Sequence, residues 1–224
     1  MGRLLGSPLR AAPGPRRRGG RPVRSSLNLL EEEVEIGDGL RLEILRPPSA
    51  EELIDEAAFD EEEFLPYWAE LWPSGLALAR HVATLEVTGR KVLELGCGLG
   101  LPSIVAALGG AHVLASDWSP DAVEITARNA ERNGAELETA LAAWGTASAL
   151  VDAAPWELVL GADLLYERRN VDQLLALLPR LGDDVLLSEP GRPFESTFLA
   201  RARETWTIDS RPAGGRLRIH RLRR

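Results

Sequence analysis

Glu94, Gly96, Gly98 and Gly100 fall within one short run, VLELGCGLGL (residues 92–101), and their types define a binding chemistry. Glycines at alternate positions let a backbone turn sharply and approach a ligand where any Cβ would collide. Residues 103–108 continue as a helix, whose free N–H groups and positive dipole end face the same spot. Pro102 suits its first turn, where a missing N–H costs nothing. A carboxylate at Glu94 would repel a pyrophosphate but favour a ligand carrying positive charge. The spacing is G-x-G-x-G rather than the dinucleotide pattern G-x-G-x-x-G. S-adenosylmethionine, with an α-ammonium, a sulfonium and no phosphate, fits both features.

Further polar residues follow at the ends of later hydrophobic runs. Asp117 closes the second run, 17 residues after Gly100, where a carboxylate can accept both ribose hydroxyls. It could equally open the next helix, although Ser119 already fits that cap. Trp144 follows the third run and can stack on an adenine or pack in the core. Asp163 and Tyr166, in GADLLY, follow the fourth, where the transferable end of the ligand would face a substrate. If this stretch is helical, their spacing puts them on one side of a turn. Tyr67, Trp68 and Trp72 crowd the run FLPYWAELWPSG (64–75) in a chain that is only 5% aromatic. Trp72, at the break before Pro73, is placed to line a ligand pocket.

The elements that must position these residues alternate. Residues 33–45 read as a two-stranded hairpin around Gly37-Asp38-Gly39, an N-terminal addition to the main sheet. A short helix ends at Trp72, and Ser74 caps a second helix running through Val82. Strands follow at 91–95, 112–116, 138–142, 156–162 and 185–188, with helices at 103–108, 119–133, 171–181 and 197–205 between or after them. Two final strands, 206–210 and 216–222, turn at Gly214-Gly215. The expected fold is α/β: a Rossmann-like, seven-stranded, mostly parallel sheet with an antiparallel C-terminal edge, plus the N-terminal hairpin and helices. Ligands in such sheets bind at the C-terminal strand ends, where every residue named above lies.

A chain of 224 residues suits a single such domain, here 27–224, behind a tail at 1–26 rich in Arg, Pro and Gly and expected to be disordered. Seven arginines and no acid fall in residues 1–24, so the rest of the chain is far more acidic than the total of −8. That balance argues against nucleic acid as a partner. Residues 50–63 are strongly acidic and read as a solvated face. No run is apolar enough for a membrane span. Cys97 is the one cysteine, which excludes an intrachain disulfide and points to a reducing compartment. The cytoplasm is expected, or the mitochondrion only if residues 1–24 are a transit peptide. His81, His112 and His220 are scattered, so no metal is expected. No hydrolase, zinc-protease or P-loop motif is present. Cys97 as a nucleophile lacks a neighbouring histidine, and Glu94 would raise its pKa.

Taken together, VLELGCGLG, SDWSPDAV, LAAWG and GADLLY resemble, in order and spacing, the seven-β-strand S-adenosylmethionine-dependent methyltransferases. PYWAELWPSG and the D-x-x-Y of DLLY resemble the non-SET protein-lysine methyltransferases. SEPGRPFE is similar to the segment after the fifth strand in those acting on the β subunit of electron-transfer flavoprotein. The resemblance covers about residues 60–224. It implies that Glu94, Gly96, Cys97, Gly98 and Gly100 cradle the methionine part of the cofactor, Asp117 its ribose and Trp144 its adenine. Trp72 and Ala162 would complete the cofactor contacts. Asp163 and Tyr166 would line the acceptor channel, and Glu189 and Arg192 would meet a protein substrate. Ala143 stands where many relatives carry an acid before Trp-Gly, so one adenine contact is missing. The implied enzyme is a monomer that methylates lysine on a folded protein. A small-molecule N-methyltransferase of nicotinamide type and a non-catalytic nucleotide-binding module are the alternatives.

Overall fold

The computed structural model describes residues 28–50 and 66–224. The expected tail at 1–26, the domain boundary at 27 and nearly all of the acidic stretch lie outside them.

Seven strands form one sheet in the order β5-β4-β3-β6-β7-β9-β8. They are β3 (Lys91–Leu95), β4 (His112–Asp117), β5 (Glu138–Leu141), β6 (Leu158–Ala162), β7 (Asp184–Glu189), β8 (Thr207–Pro212) and β9 (Arg218–Arg223). The first five run parallel, and the reversed β9 lies between β7 and β8. The chain leaves β3 towards β4 and β5 on one side, then returns to β6 and β7 on the other. The crevice at this switch lies between the C-terminal ends of β3 and β6.

Central strands are buried on both faces, and side-chain alternation divides the core in two. Val92, Leu158, Leu160 and Leu186 face one layer with α1 (Pro73–Val82), α2 (Leu101–Leu108) and α3 (Pro120–Arg132). Leu93, Leu95, Val159, Val185 and Leu187 face the other, with α4 (Ser148–Asp152), α5 (Arg168–Leu181) and α6 (Glu195–Ala202). Glu94 therefore points to the α2 side.

Several boundaries differ from expectation. The hairpin of β1 (Leu30–Gly37) and β2 (Leu40–Arg46) is not added to the main sheet but forms its own. Two asparagines one turn apart on or just after α3 explain this. Asn129 Oδ1 accepts Leu45 N–H at 2.7 Å, and Asn133 Oδ1 accepts Glu43 N–H at 2.9 Å. Their amide groups donate back to the carbonyls of Leu45 and Glu43. Helix side chains thus satisfy the strand edge that a main-sheet strand would have covered. Ser74 does not cap α1: Trp72 holds the N-cap position with Pro73 at N1, and Ser74 Oγ is buried without a partner. Residues 67–69 form a single 3-10 turn rather than a helix reaching Trp72. Helix α5 begins three residues earlier than expected and α6 runs from Glu195 to Ala202. Trp156 precedes β6 and makes only a single bridge to Gly182. Its indole N–H donates to Leu150 O, and the Lys91 ammonium, bonded to Ala153 O, sits 4.5 Å above its ring.

Candidate active site

The glycine turn after β3 is left-handed at Gly96, Gly98 and Gly100, with φ of 64°, 52° and 83°. Side chains rarely adopt this region. The space beside each glycine is also filled by the chain itself. A Cβ on Gly96 would stand 2.9 Å from Leu164 Cδ2, one on Gly98 3.3 Å from Trp68 O, and one on Gly100 2.7 Å from Thr126 Cγ2. The turn is clamped by β6's loop, the aromatic turn and α3 at once. Asn129 adds a further tie, donating to Leu99 O at 3.0 Å.

Glu94 and the glycines, with Cys97, line a cleft whose other walls include Trp72 and Ala162. Seven of the residues singled out in the sequence thus meet in one place. Glu94 is buried, and its Oε2 accepts both the N–H (3.0 Å) and the hydroxyl of Ser103, in the first turn of α2. Burial pushes its carboxyl up to about 8, against those two bonds. A cation entering the cleft would restore its charge. Cys97 is buried, its thiol pushed well up by burial and by Asp117 and Glu94, and Sγ accepts from Thr126 Oγ1. It is not a nucleophile in this setting.

Asp117 and Trp144 lie outside the lining of that cleft. The Asp117 carboxylate accepts Gly98 N–H at 3.1 Å and Ser119 N–H at 2.9 Å, tying the turn to the start of α3. Burial raises its pKa. Trp144 is half-buried in a 3-10 turn, with its ring edge 3.7 Å from where a Gly96 Cβ would stand. Beside Asp117, Trp118 and Leu141 are large, exposed apolar groups at the ends of β4 and β5. The sequence reading passed over both, although each directly adjoins a strand end.

Across the crevice, Asp163 has φ +55° and its N–H donates to Ser188 O at 2.8 Å. The segment from Asp163 to Tyr166 is not helical, so the expected helical juxtaposition of the two does not occur. The buried Asp163 carboxylate instead receives Arg192 Nε at 2.7 Å and Nη2 at 2.8 Å. Asp163 and Arg192, expected to act separately, form one bidentate pair. The Arg192 guanidinium also stands 5.5 Å from the Trp72 ring. Tyr67 joins the group, its ring centroid 5.4 Å from Tyr166 and 6.4 Å from Trp72. Its backbone carbonyl accepts the Trp72 indole N–H at 2.7 Å. Tyr166 is pushed up to about 12 by burial, so its hydroxyl stays protonated. Glu189 is not on the open surface: it is fully buried and its Oε1 accepts Leu164 N–H at 2.9 Å.

Among the described residues no cluster of His, Cys, Asp and Glu is placed to hold a metal, and no helix is long and apolar enough to cross a membrane.

The strand order and the glycine cleft define a Rossmann-like methyltransferase fold. A solved Thermus thermophilus 16S rRNA N2 G1207 methyltransferase, in complex with AdoMet and guanosine, matches it with a TM-score of 0.63 at 16% identity, over 88% of this chain and 50% of that one. Residues 59–201 match the profile of a family described as lysine methyltransferase, and the chain belongs to that family. The electron transfer flavoprotein beta subunit lysine methyltransferase of Xenopus laevis is 38% identical over 137 residues, 57% of this chain and 53% of that protein. The histone-arginine methyltransferase METTL23 of Xenopus laevis is 27% identical over 186 residues, 80% and 77% of the two chains. The chain spans about half the length of the flavoprotein-directed relatives it matches.

Proposed function

We propose that this protein transfers a methyl group from S-adenosylmethionine to a lysine side chain of a folded protein, with the β subunit of electron-transfer flavoprotein as the leading acceptor. The observation that carries the reading is the buried Asp163 carboxylate, which follows the cleft-lining Ala162 and pairs with an Arg192 guanidinium that stands over the Trp72 ring. The residues fit the cofactor: Glu94 offers a carboxyl to an ammonium, and the left-handed turn presents backbone rather than side chains to the cleft. When bound, S-adenosylmethionine supplies a methyl group activated by its sulfonium for direct displacement by an amine.

The chain's own part is to hold that amine and strip it of water. The reading is supported by Arg192, whose guanidinium sits between Asp163 and Trp72, a seat that suits a cation. A lysine ammonium entering there exchanges with the guanidinium. Losing its proton at pH 7 costs about 4.6 kcal/mol for an unperturbed lysine. The aromatic wall lowers that cost by desolvation, while Asp163 orients the N–H groups. We take the protein as a monomer and place it in a reducing compartment, the cytoplasm, the latter supported by its single cysteine.

The test is incubation of the protein with labelled S-adenosylmethionine and, separately, folded electron-transfer flavoprotein, a free lysine peptide and nicotinamide. Label on a lysine of the folded protein is expected. Equal labelling of nicotinamide would replace this reading with a small-molecule methyltransferase.

A further inference from the structure

Asp163 has a left-handed backbone, a conformation a non-glycine residue keeps only where its surroundings hold it. Two bonds hold it here. One is the N–H of Asp163 on Ser188 O; the other is the N–H of Leu164 on Glu189 Oε1. The second is the unusual one, because it uses a side chain that is fully buried. Glu189 Oε2 has no hydrogen-bond partner, and neither does Glu195 Oε2 at the start of α6.

Behind them stands an ordered chain of polar groups on the same sheet face. His220 on β9 pairs with Leu187 on β7, two residues from Glu189, and with Ser210 on β8. His220 Nε2 lies 3.1 Å from Glu195 Oε1, and Nδ1 lies 2.8 Å from Ser210 Oγ. Burial lowers the His220 pKa, so the ring is neutral, with Nε2–H donating to Glu195 and Nδ1 accepting from Ser210. Burial, followed by the charges of Asp163 and Glu195, pushes Glu189 up to about 8. The charge of Glu195 thus acts on Glu189 across the same face of the sheet.

We propose that Glu189 is a positioning residue for the transfer: it fixes the Asp163 corner through the Leu164 N–H. This rests on Asp163 being the residue that receives the acceptor amine. It makes Glu189 an internal brace rather than a contact for the protein substrate. What the site needs from it is reach and an acceptor oxygen, not charge.

Two conservative variants separate these requirements. Glu189→Gln keeps the length and the acceptor oxygen and cannot ionise. Glu189→Asp keeps an ionisable carboxyl and falls short of Leu164. The expected result is that Glu189→Gln retains kcat within about threefold, since one neutral hydrogen bond replaces another. Glu189→Asp should lose about 100-fold in kcat, the scale of a displaced reacting group, with KM for the acceptor and affinity for S-adenosylhomocysteine nearly unchanged. The reverse order, Gln inactive and Asp active, would overturn the brace and make Glu189 a charged participant. A rise in acceptor KM in both variants, with kcat intact, would overturn it in favour of substrate contact. Hydrogen exchange of the Leu164 amide, measured in the full chain, gives a readout independent of any acceptor. Protection should persist in Glu189→Gln and vanish in Glu189→Asp. Equal protection in both overturns the anchor even if the lysine reading itself has failed.

Discussion

The two sides of the crevice are built in different ways. On the cofactor side, Glu94, three glycines and Ser103 come from one strand–turn–helix of contiguous chain, and Asp117 from the next strand. On the acceptor side, Asp163 meets Arg192 from 29 residues away, Arg192 stands over Trp72, which Tyr67 joins from a turn before the main sheet, and Glu189 on another strand holds the neighbouring Leu164 N–H. The first is rigid because its backbone is locked in a left-handed path. The second is held by side chains that can exchange partners. A cofactor common to many enzymes suits the rigid half; an acceptor that must enter and leave suits the exchangeable one.

Substitution of the turn should show the contrast most strongly. Gly100→Val puts a branched side chain at φ 83° where Thr126 leaves 2.7 Å, and calorimetry should detect no binding of S-adenosylhomocysteine. Retained binding would mean that the turn is less fixed than its clamps suggest. Next in size, Asp163→Asn should slow transfer about 100-fold, because the charged acceptor for the amine is lost. Its affinity for S-adenosylhomocysteine should change by less than a factor of ten, about 1.4 kcal/mol. Parallel loss of both would show that the halves are one unit.

Arg192→Ala sharpens the comparison at a smaller scale. From sequence, Arg192 is expected to dock a protein substrate, and its loss would raise KM. Its pairing with Asp163 reverses that sign for a free lysine peptide, which no longer competes with a guanidinium for the seat. KM for the peptide should fall roughly fivefold, or about 1 kcal/mol. A rise would restore the docking role.

A further contrast is thermal. Glu94 and Glu189 are both pushed up to about 8 from an ordinary value near 4.5. Below pH 4.5 both the folded and unfolded chains hold these protons. Between 4.5 and 8 the unfolded chain releases them while the folded chain keeps them, so stability falls as pH rises and levels off above about 8. The melting temperature of the ligand-free protein should follow that slope. S-adenosylhomocysteine should flatten it on the Glu94 side, with proton release visible as a buffer-dependent binding enthalpy.

How far the sequence could be read follows the same division. β3 and its turn were legible because glycine spacing, Pro102 and Glu94 act locally. The end of β4 and the cap at Ser119 were legible for the same reason. The hairpin's separation was not, since it depends on Asn129 and Asn133 reaching a strand edge some 84–90 positions away. Helix α4, at five residues, is too short to show a period. The pairing of Asp163 with Arg192 was hidden because each residue also made sense alone. Tyr67 and Trp72 were visible as a cluster, but only the fold shows which acid they surround.

The Lys91 ammonium, pinned between Trp156 and Ala153 at the far end of β3, has a practical meaning for assays. It is the one lysine in a sequence with 26 basic residues, all the others being arginine. Under the proposed lysine methylation, a chain built this way offers itself almost no target. Label appearing in a mixture therefore reports on the acceptor, without background from automethylation. Amine-directed cross-linkers likewise have hardly any handle on the enzyme, whereas carboxyl- or arginine-directed reagents have many.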